Sequence, residues 1–339
     1  MSRWPRPALQ LGVPVLLLAV TALVAGGLSK THQLEFENAL VMVAIVVALS
    51  VFVGNSGVIS FGHISFVAVG AYTSGLLSID PESKTFTLPS LFPFLKHAHM
   101  GVVPSLGVAA AAGGVYALLV GLPLMRLSGL PAGIATFAVL GITYNVLYYW
   151  ERIGPGAQTL SLVPEVRRWT IGLGAAAVVA AAFVYQRSRF GRRLRAARED
   201  PAAARSVGIH IYRERLVAFT LSGVLAGFAG GLLVHELGSI TPSQVYIDLT
   251  FVTLAMLVVG GVASLLGAVV GALAISALNS FLGDAENTVH VVGLRLTLPS
   301  GSRLVAVGAI MALVVILRPS GLTGGRELRL PLGGRRRTP

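Results

Sequence analysis

Residues 37–78 read ENALVMVAIVVALSVFVGNSGVISFGHISFVAVGAYTSGLLS. An uncharged apolar run from Ala39 to Val53 meets the interruption Gly54-Asn55-Ser56-Gly57-Val58-Ile59-Ser60-Phe61-Gly62-His63, and a second apolar run follows to Ser78. About 20 apolar residues carry a helix across the hydrocarbon core of a bilayer, so two such runs in succession read as membrane spans. The rest of the chain has the same character. With 54% hydrophobic and 12% charged residues, a solvated surface cannot be covered, and lipid must replace water over much of it. The 339 residues leave room for about ten crossings and no large soluble domain. The expectation is an all-α fold, a polytopic membrane helix bundle of about ten transmembrane helices with a broken, Gly-rich segment, forming one integral membrane domain over 1–339. Forty glycines suit it, because helices in lipid associate through small residues that let backbones approach.

The expected spans are 11–28, 37–53, 58–78, 102–122, 128–149, 169–186, 216–235, 247–262, 264–282 and 303–317. An even number places both termini on one side. With the N-terminus inside, the inner side holds Arg3, Arg6, Arg126, nine arginines from Arg187 to Arg215 and six from Arg318 to Arg337, so 18 of the 26 basic residues. The outer loops keep Lys30, Lys84, Lys96, Arg152, Arg167, Arg168, Arg295 and Arg303. The positive-inside rule therefore predicts cytoplasmic termini, with 318–339 a basic cytoplasmic tail. The formal charge of +12 follows the membrane and does not call for nucleic acid. Met1 to Leu28 has the Arg-bearing head and apolar run of a signal peptide. Its long run and the absence of a clear small-x-small site before the next span make it a first span instead.

Backbone broken at membrane depth survives only where protein or a watery cavity satisfies the freed groups. Gly57, Ser60, Gly62 and His63 are therefore candidate lining residues of a solute path, against the plainer reading of a tight interhelical turn. His63 is an ionisable group near a span end, a position that invites function and also simple solvation. Ser56 between Asn55 and Gly57 suggests an intramembrane serine nucleophile. Seven residues of helix rise about 10.5 Å, too far for His63 to serve as its base, which leaves His235 as the other histidine to weigh. The absence of cysteine excludes disulfides and thiol chemistry, and no metal-ligand set is evident.

The segment 187–215 is the most organised stretch outside the spans. Leu194 and Ala197 share a face, Arg192, Arg195 and Arg198 recur at three-residue spacing, and Glu199-Asp200-Pro201 interrupts the pattern. Ala202 to Val207 then reads as a second short helix with Gly208 at its C-terminal cap position. Arginines that only fix orientation or touch anionic lipid need no such helix-break-helix, so a docking site for another protein is expected.

Phe190 to Phe219, together with Gly57 to Tyr72, Ser222 to Leu233, Thr241-Pro242 and Gly260 to Gly271, resembles the permeases of branched-chain amino acid ABC transporters. The likeness covers most of 54–282 in the family's order. The first span, the outer loops and the Arg-rich tail diverge.

The resemblance implies a permease subunit of an importer in a bacterial inner membrane. It would work with a second related permease, two cytoplasmic ATPase subunits and a periplasmic substrate-binding protein. It further implies that 187–215 is the ATPase-coupling loop, with Gly191, Arg192, Arg195, Arg198, Glu199, Asp200, Ala203 and Gly208 as its site residues. No phosphate-binding Gly-x-x-x-x-Gly-Lys-Ser/Thr loop occurs in the chain, so no enzymatic site and no bound cofactor are expected, with ATP on partner subunits. Branched-chain amino acids are the favoured solute, and urea or short amides the alternative. An ion-coupled secondary transporter is the rival class, against which stands the scarcity of acidic groups away from loops and span edges.

Overall fold

The uncharged run that opens the reading forms the innermost helix, α1 (Lys30–Ser56), whose residues from Val43 to Ala48 are essentially inaccessible. In the computed structural model, residues 30–286, 289–291, 294–296, 302–318 and 321–324 are described, together with Gly12, Pro14 and Leu17. After α1 come α2 (His63–Ser78), the short α3 (Pro81–Thr87) and α4 (Pro93–His97), then α5 (Val102–Leu124), α6 (Leu130–Tyr149) and α7 (Arg168–Arg187). Two short helices follow, α8 (Arg189–Glu199) and α9 (Pro201–Ser206). Next are α10 (Ile211–Leu237), a 3-10 turn (Pro242–Val245), α11 (Ile247–Gly260) and α12 (Leu265–Glu286). An antiparallel hairpin of β1 (Val289–Val291) and β2 (Leu294–Leu296) precedes α13 (Ser302–Leu317).

Helix α10 runs through the middle of the bundle and packs on α1, α2 and α5. Its crossing with α2 is backbone on backbone: a Cβ added to Gly70 would overlap the carbonyl of Gly227, and one added to Gly230 the carbonyl of Val67. Such contact substitutes dispersion for the hydrophobic force that lipid does not supply between helices. Ser222 reinforces the contact with α1 by donating to the carbonyl of Ala48 at 2.6 Å. On the outer faces of α5, α6 and α7, Leu119, Ile134 and Leu173 are exposed, the surface a bilayer would cover.

Hydrogen bonds sort the loops between two ends. At one end, Arg215 reaches the carbonyl of Leu127 at 3.4 Å, Tyr212 that of Leu122 at 3.0 Å, and Arg198 that of Gly54 at 2.7 Å. Leu322 N–H joins the same end through Val259 O at 2.8 Å. At the other end Arg168 pairs with Gln33 at 2.7 Å, Phe92 N–H with Arg152 O at 3.0 Å, and Leu160 bridges Ile240. The charge count assigned Arg126 and 187–215 to one side and 79–101 and 150–168 to the other, and these loops are divided in the same way.

The span count needs correction. Among the described residues, seven helices are long and apolar enough to cross: His32–Ser56, Val102–Leu124, Leu130–Tyr149, Arg168–Arg187, Ile211–Leu237, Pro242–Gly260 and Leu265–Gly283. The expected spans 58–78 and 303–317 each yield a helix of 16 residues, about 24 Å at 1.5 Å per residue, shorter than a hydrocarbon core of about 30 Å, although 57–78 still joins the arginine-rich end to the loop 79–101 at the other. In the first case residues 57–62 are non-helical, and the apolar run is divided between an irregular stretch and α2. Of the expected span 11–28 only Gly12, Pro14 and Leu17 are described, and the tail beyond Gly324 lies outside the described residues.

At the opposite end, α3 and α4 are joined by Lys84, whose buried side chain donates from Nζ to the carbonyls of Leu95 at 3.3 Å and of Ala98. Burial pushes its ammonium below the usual lysine range, with Asp80 opposing the shift.

Candidate translocation and coupling site

The broken segment starts where α1 ends, at the arginine-rich end of the bundle. Gly57 has φ +70°, a conformation that L side chains avoid, and its N–H closes the helix on Val53 O at 3.0 Å. Two of the backbone groups freed by the break are met by protein: Ser56 Oγ accepts from Val58 N at 3.2 Å, and Thr136 Oγ1 of α6 accepts from Phe61 N at 3.1 Å. This is the condition under which irregular backbone is tolerated at membrane depth. Phe61 also stands edge-on to Phe137 of α6 and Phe251 of α11, with ring centroids 6.5 and 6.4 Å away.

The four residues expected to line a path divide into two groups. Gly57 is exposed, as is Ile59 at 55%, whereas Ser60, Gly62 and His63 are buried. A Cβ on Gly62 would overlap the carbonyl of Thr136, so this glycine permits the close approach of the segment to α6. His63 shares a 2.7 Å hydrogen bond through Nδ1 with Ser60 Oγ, and its ring lies among Phe52, Phe66 and Phe219 at 5.3–5.5 Å between centroids. His63 Nε2 has no hydrogen-bond partner among the described residues. The exposed face of the break, at Gly57 and Ile59, was only half legible in the sequence, because alternation in a six-residue irregular stretch carries no dependable period.

The serine-nucleophile reading is answered by position. Ser56 sits at the arginine-rich end, while His235 lies near the opposite end, where Nε2 pairs with Ser74 Oγ at 2.9 Å and Nδ1 with the carbonyl of Pro164 at 2.7 Å. Ser105 completes that buried group, 2.8 Å from Ser74. With Nδ1–H donating to a carbonyl, Nε2 accepts from the serine, and the cluster is a polar brace between α2, α5 and α10.

The helix-break-helix is present as the sequence spells it. Ser188 opens α8, accepting from Gly191 N at 3.2 Å, and Gly191, Leu194 and Ala197 are its buried face. Asp200 ends α8 and caps α9, its Oδ1 accepting from Ala202 N at 2.9 Å and Ala203 N at 3.0 Å, with Pro201 at the first helical position. Gly208 follows with φ +81°. Ala203, Glu199 and Arg192 are exposed, and Ala204 is buried.

The expected basic ridge is largely spent on the bundle itself. Arg195 donates to the carbonyl of Gln186 at 2.6 Å, at the C-terminus of α7, and Arg198 donates to the carbonyl of Gly54, in the last turn of α1. Arg193 pairs with Glu214 at 3.5 Å. Cations at the C-terminal ends of helices meet unpaired carbonyls and the negative end of the macrodipole. The sequence spacing revealed a charged stripe, and only the neighbouring helix ends tell which way it faces. Beside it, a cleft of about 370 Å³ is lined by Phe190, Arg193, Val207, Ile209, His210 and Glu214.

Comparison with known proteins gives a consistent picture. The chain is 26% identical over 318 residues to the high-affinity branched-chain amino acid transport system permease protein LivM of Escherichia coli (strain K12), covering 84% of this chain and 68% of that one. The LivM of Salmonella typhimurium is 25% identical over the same shares. The autoinducer 2 import system permease protein LsrC of Klebsiella pneumoniae is 31% identical over 166 residues, 45% of this chain and 48% of that one. No solved structure matches the chain. The family model for the permease component of branched-chain amino acid transport systems matches residues 37–317, and the chain belongs to that family.

Proposed function

We propose that this chain is the transmembrane subunit of an ABC importer that takes a small polar solute, branched-chain amino acids first, into the cytoplasm with ATP hydrolysed on partner subunits. Two cytoplasmic ATPases, a second related permease and a periplasmic substrate-binding protein complete the assembly, and both termini face the cytoplasm. The observation that carries the reading is the helix pair α8–α9. It is braced by Arg195 and Arg198 against two spans and presents Ala203 and Val207 outward beside an open cleft. A short helix pair with one face fixed and the other free suits a seat in a partner's groove, through which ATPase closure would move the bundle. The solute route fits the exposed side of the broken segment at Gly57 and Ile59, with Ser60, Gly62 and His63 supporting it from within. The LivM and LsrC relatives bear different solute names, so the family likeness supports import more firmly than it supports any one cargo.

Ala203→Glu tests the docking face. Ala203 is exposed, so the change leaves the chain's own packing alone while placing a charge where a partner would bury it. Loss of most of the co-purifying ATPase from a normally inserted variant is expected, together with loss of uptake of radiolabelled leucine by the reconstituted assembly. Full ATPase capture would return the helix pair to a role in topology alone, because one acid among surface charges is worth only about 1 kcal/mol at a lipid surface. Uptake competed by urea or autoinducer 2 and not by leucine would reassign the cargo.

A further inference from the structure

Gly54 and Gly57 meet the coupling loop directly, through one side chain. Arg198 Nη1 donates to Gly54 O at 2.7 Å, and the same side chain covers Gly57: a Cβ there would lie 3.0 Å from Arg198 Cγ and 3.2 Å from its Cδ and Nε. Gly54 is held from a second side, since a Cβ on it would sit 2.6 Å from the carbonyl of Val262 in the turn between α11 and α12. The start of the broken segment is thus clamped between the loop and the α11–α12 turn. From there the segment runs six residues to Gly62, whose approach to Thr136 fixes the far end. Arg195, one helical turn back, holds a different helix end, that of α7.

We propose that Arg198 is the positioning residue through which the helix pair α8–α9 moves the broken segment, so that displacement of the loop is delivered to Gly57 and Ile59. This rests on the import reading given above. Three geometric facts support it. The hydrogen bond joins the last residue of α8 but one to the last turn of α1, so a shift of α8 is felt at the mouth of the break. Gly57 lacks the side chain that would hold Arg198 off, and its positive φ places the chain's change of direction directly under the guanidinium stem. Arg195 acts on a continuous span, where there is no irregular backbone to yield. A guanidinium suits the task because its planar fork holds direction as well as charge, which a lysine ammonium does less well.

Because the chain has no cysteine, a single reporter can be placed in the break. Ile59→Cys, at an exposed position, would be labelled with a charged maleimide in the complex with its co-purified ATPases, once without nucleotide and once trapped with ATP and vanadate. In the otherwise unchanged chain the two rates should differ about fivefold or more, the low end of ordinary coupling between sites. In Arg198→Ala the ratio should fall to near one, measured at equal captured ATPase, and Arg198→Lys should restore part of it. Arg215→Ala, which removes an arginine contact at the same end outside the helix pair, should keep the ratio. Full response in Arg198→Ala, or equal loss in Arg215→Ala, overturns the assignment, since the first means that the bond carries no motion and the second that any arginine at this end would serve. A rate that ignores nucleotide in the chain carrying Ile59→Cys alone also overturns the inference, because the break then does not move, while the import reading stands or falls separately on ATPase capture and leucine uptake.

Discussion

Thr136 Oγ1, six residues into α6, accepts the backbone N–H of Phe61 at 3.1 Å while donating to Gly133 O at 2.8 Å. One side chain thereby pairs a backbone group of the broken segment and ties it to a continuous span. Thr136 is 1% exposed, so no solvent can replace it.

Thr136→Val keeps the shape and removes the acceptor. Leaving the half-buried Phe61 N–H unpaired costs up to about 1–3 kcal/mol. Thermal unfolding in detergent should show that loss for valine and little of it for Thr136→Ser, whose hydroxyl keeps the bond. Equal stability of the valine variant would mean that another acceptor reaches Phe61.

The brace at the opposite end makes a separate forecast. His235→Leu takes one hydrogen bond from Ser74, which keeps Ser105, and frees the carbonyl of the exposed Pro164, for a stability loss of about 0.5–1.5 kcal/mol per lost hydrogen bond. Uptake per folded molecule should hold, because His235 is wholly buried and sits far along α10 from the break. A variant of native stability with uptake abolished would instead give His235 a part in transport.

Orientation can be measured in the same cysteine-free background. Ser188 is an unsuitable position, since its hydroxyl caps α8. Val207, 75% exposed, and Phe86, 85% exposed, report the two ends instead. Phe86→Cys should be labelled by an impermeant maleimide in spheroplasts, and Val207→Cys only after permeabilisation. The reverse pattern would place the arginine-rich end outside, against the 18 basic residues that the sequence assigns within.

Much of this was legible before any fold was known. Pro201 spelled a break and restart and Gly208 a C-terminal cap, because φ preferences act over three or four residues and need no distant partner. The run from Ala39 to Val53 declared a span for the same local reason. His63 was less readable. A histidine beside a glycine break invites a functional reading, yet its ring is packed among three phenylalanines, two of them on other helices. The interruption at Gly54 to His63 was visible, but whether helix would resume at Val58 or at His63 depended on Thr136, which lies in another span.

By itself, then, the sequence determined the class of solvent, the loops that share a side, and the helix-break-helix at 189–206, since each follows from hydropathy, charge or local backbone preference. Tertiary structure alone decided that α2 is short, that Gly57 is exposed while Gly62 is buried, and that Arg195 and Arg198 turn toward the ends of α7 and α1. The direction of a long side chain is set by which unpaired carbonyl lies within reach, and Gly54 and Arg198, 144 residues apart, become neighbours only when the bundle has closed.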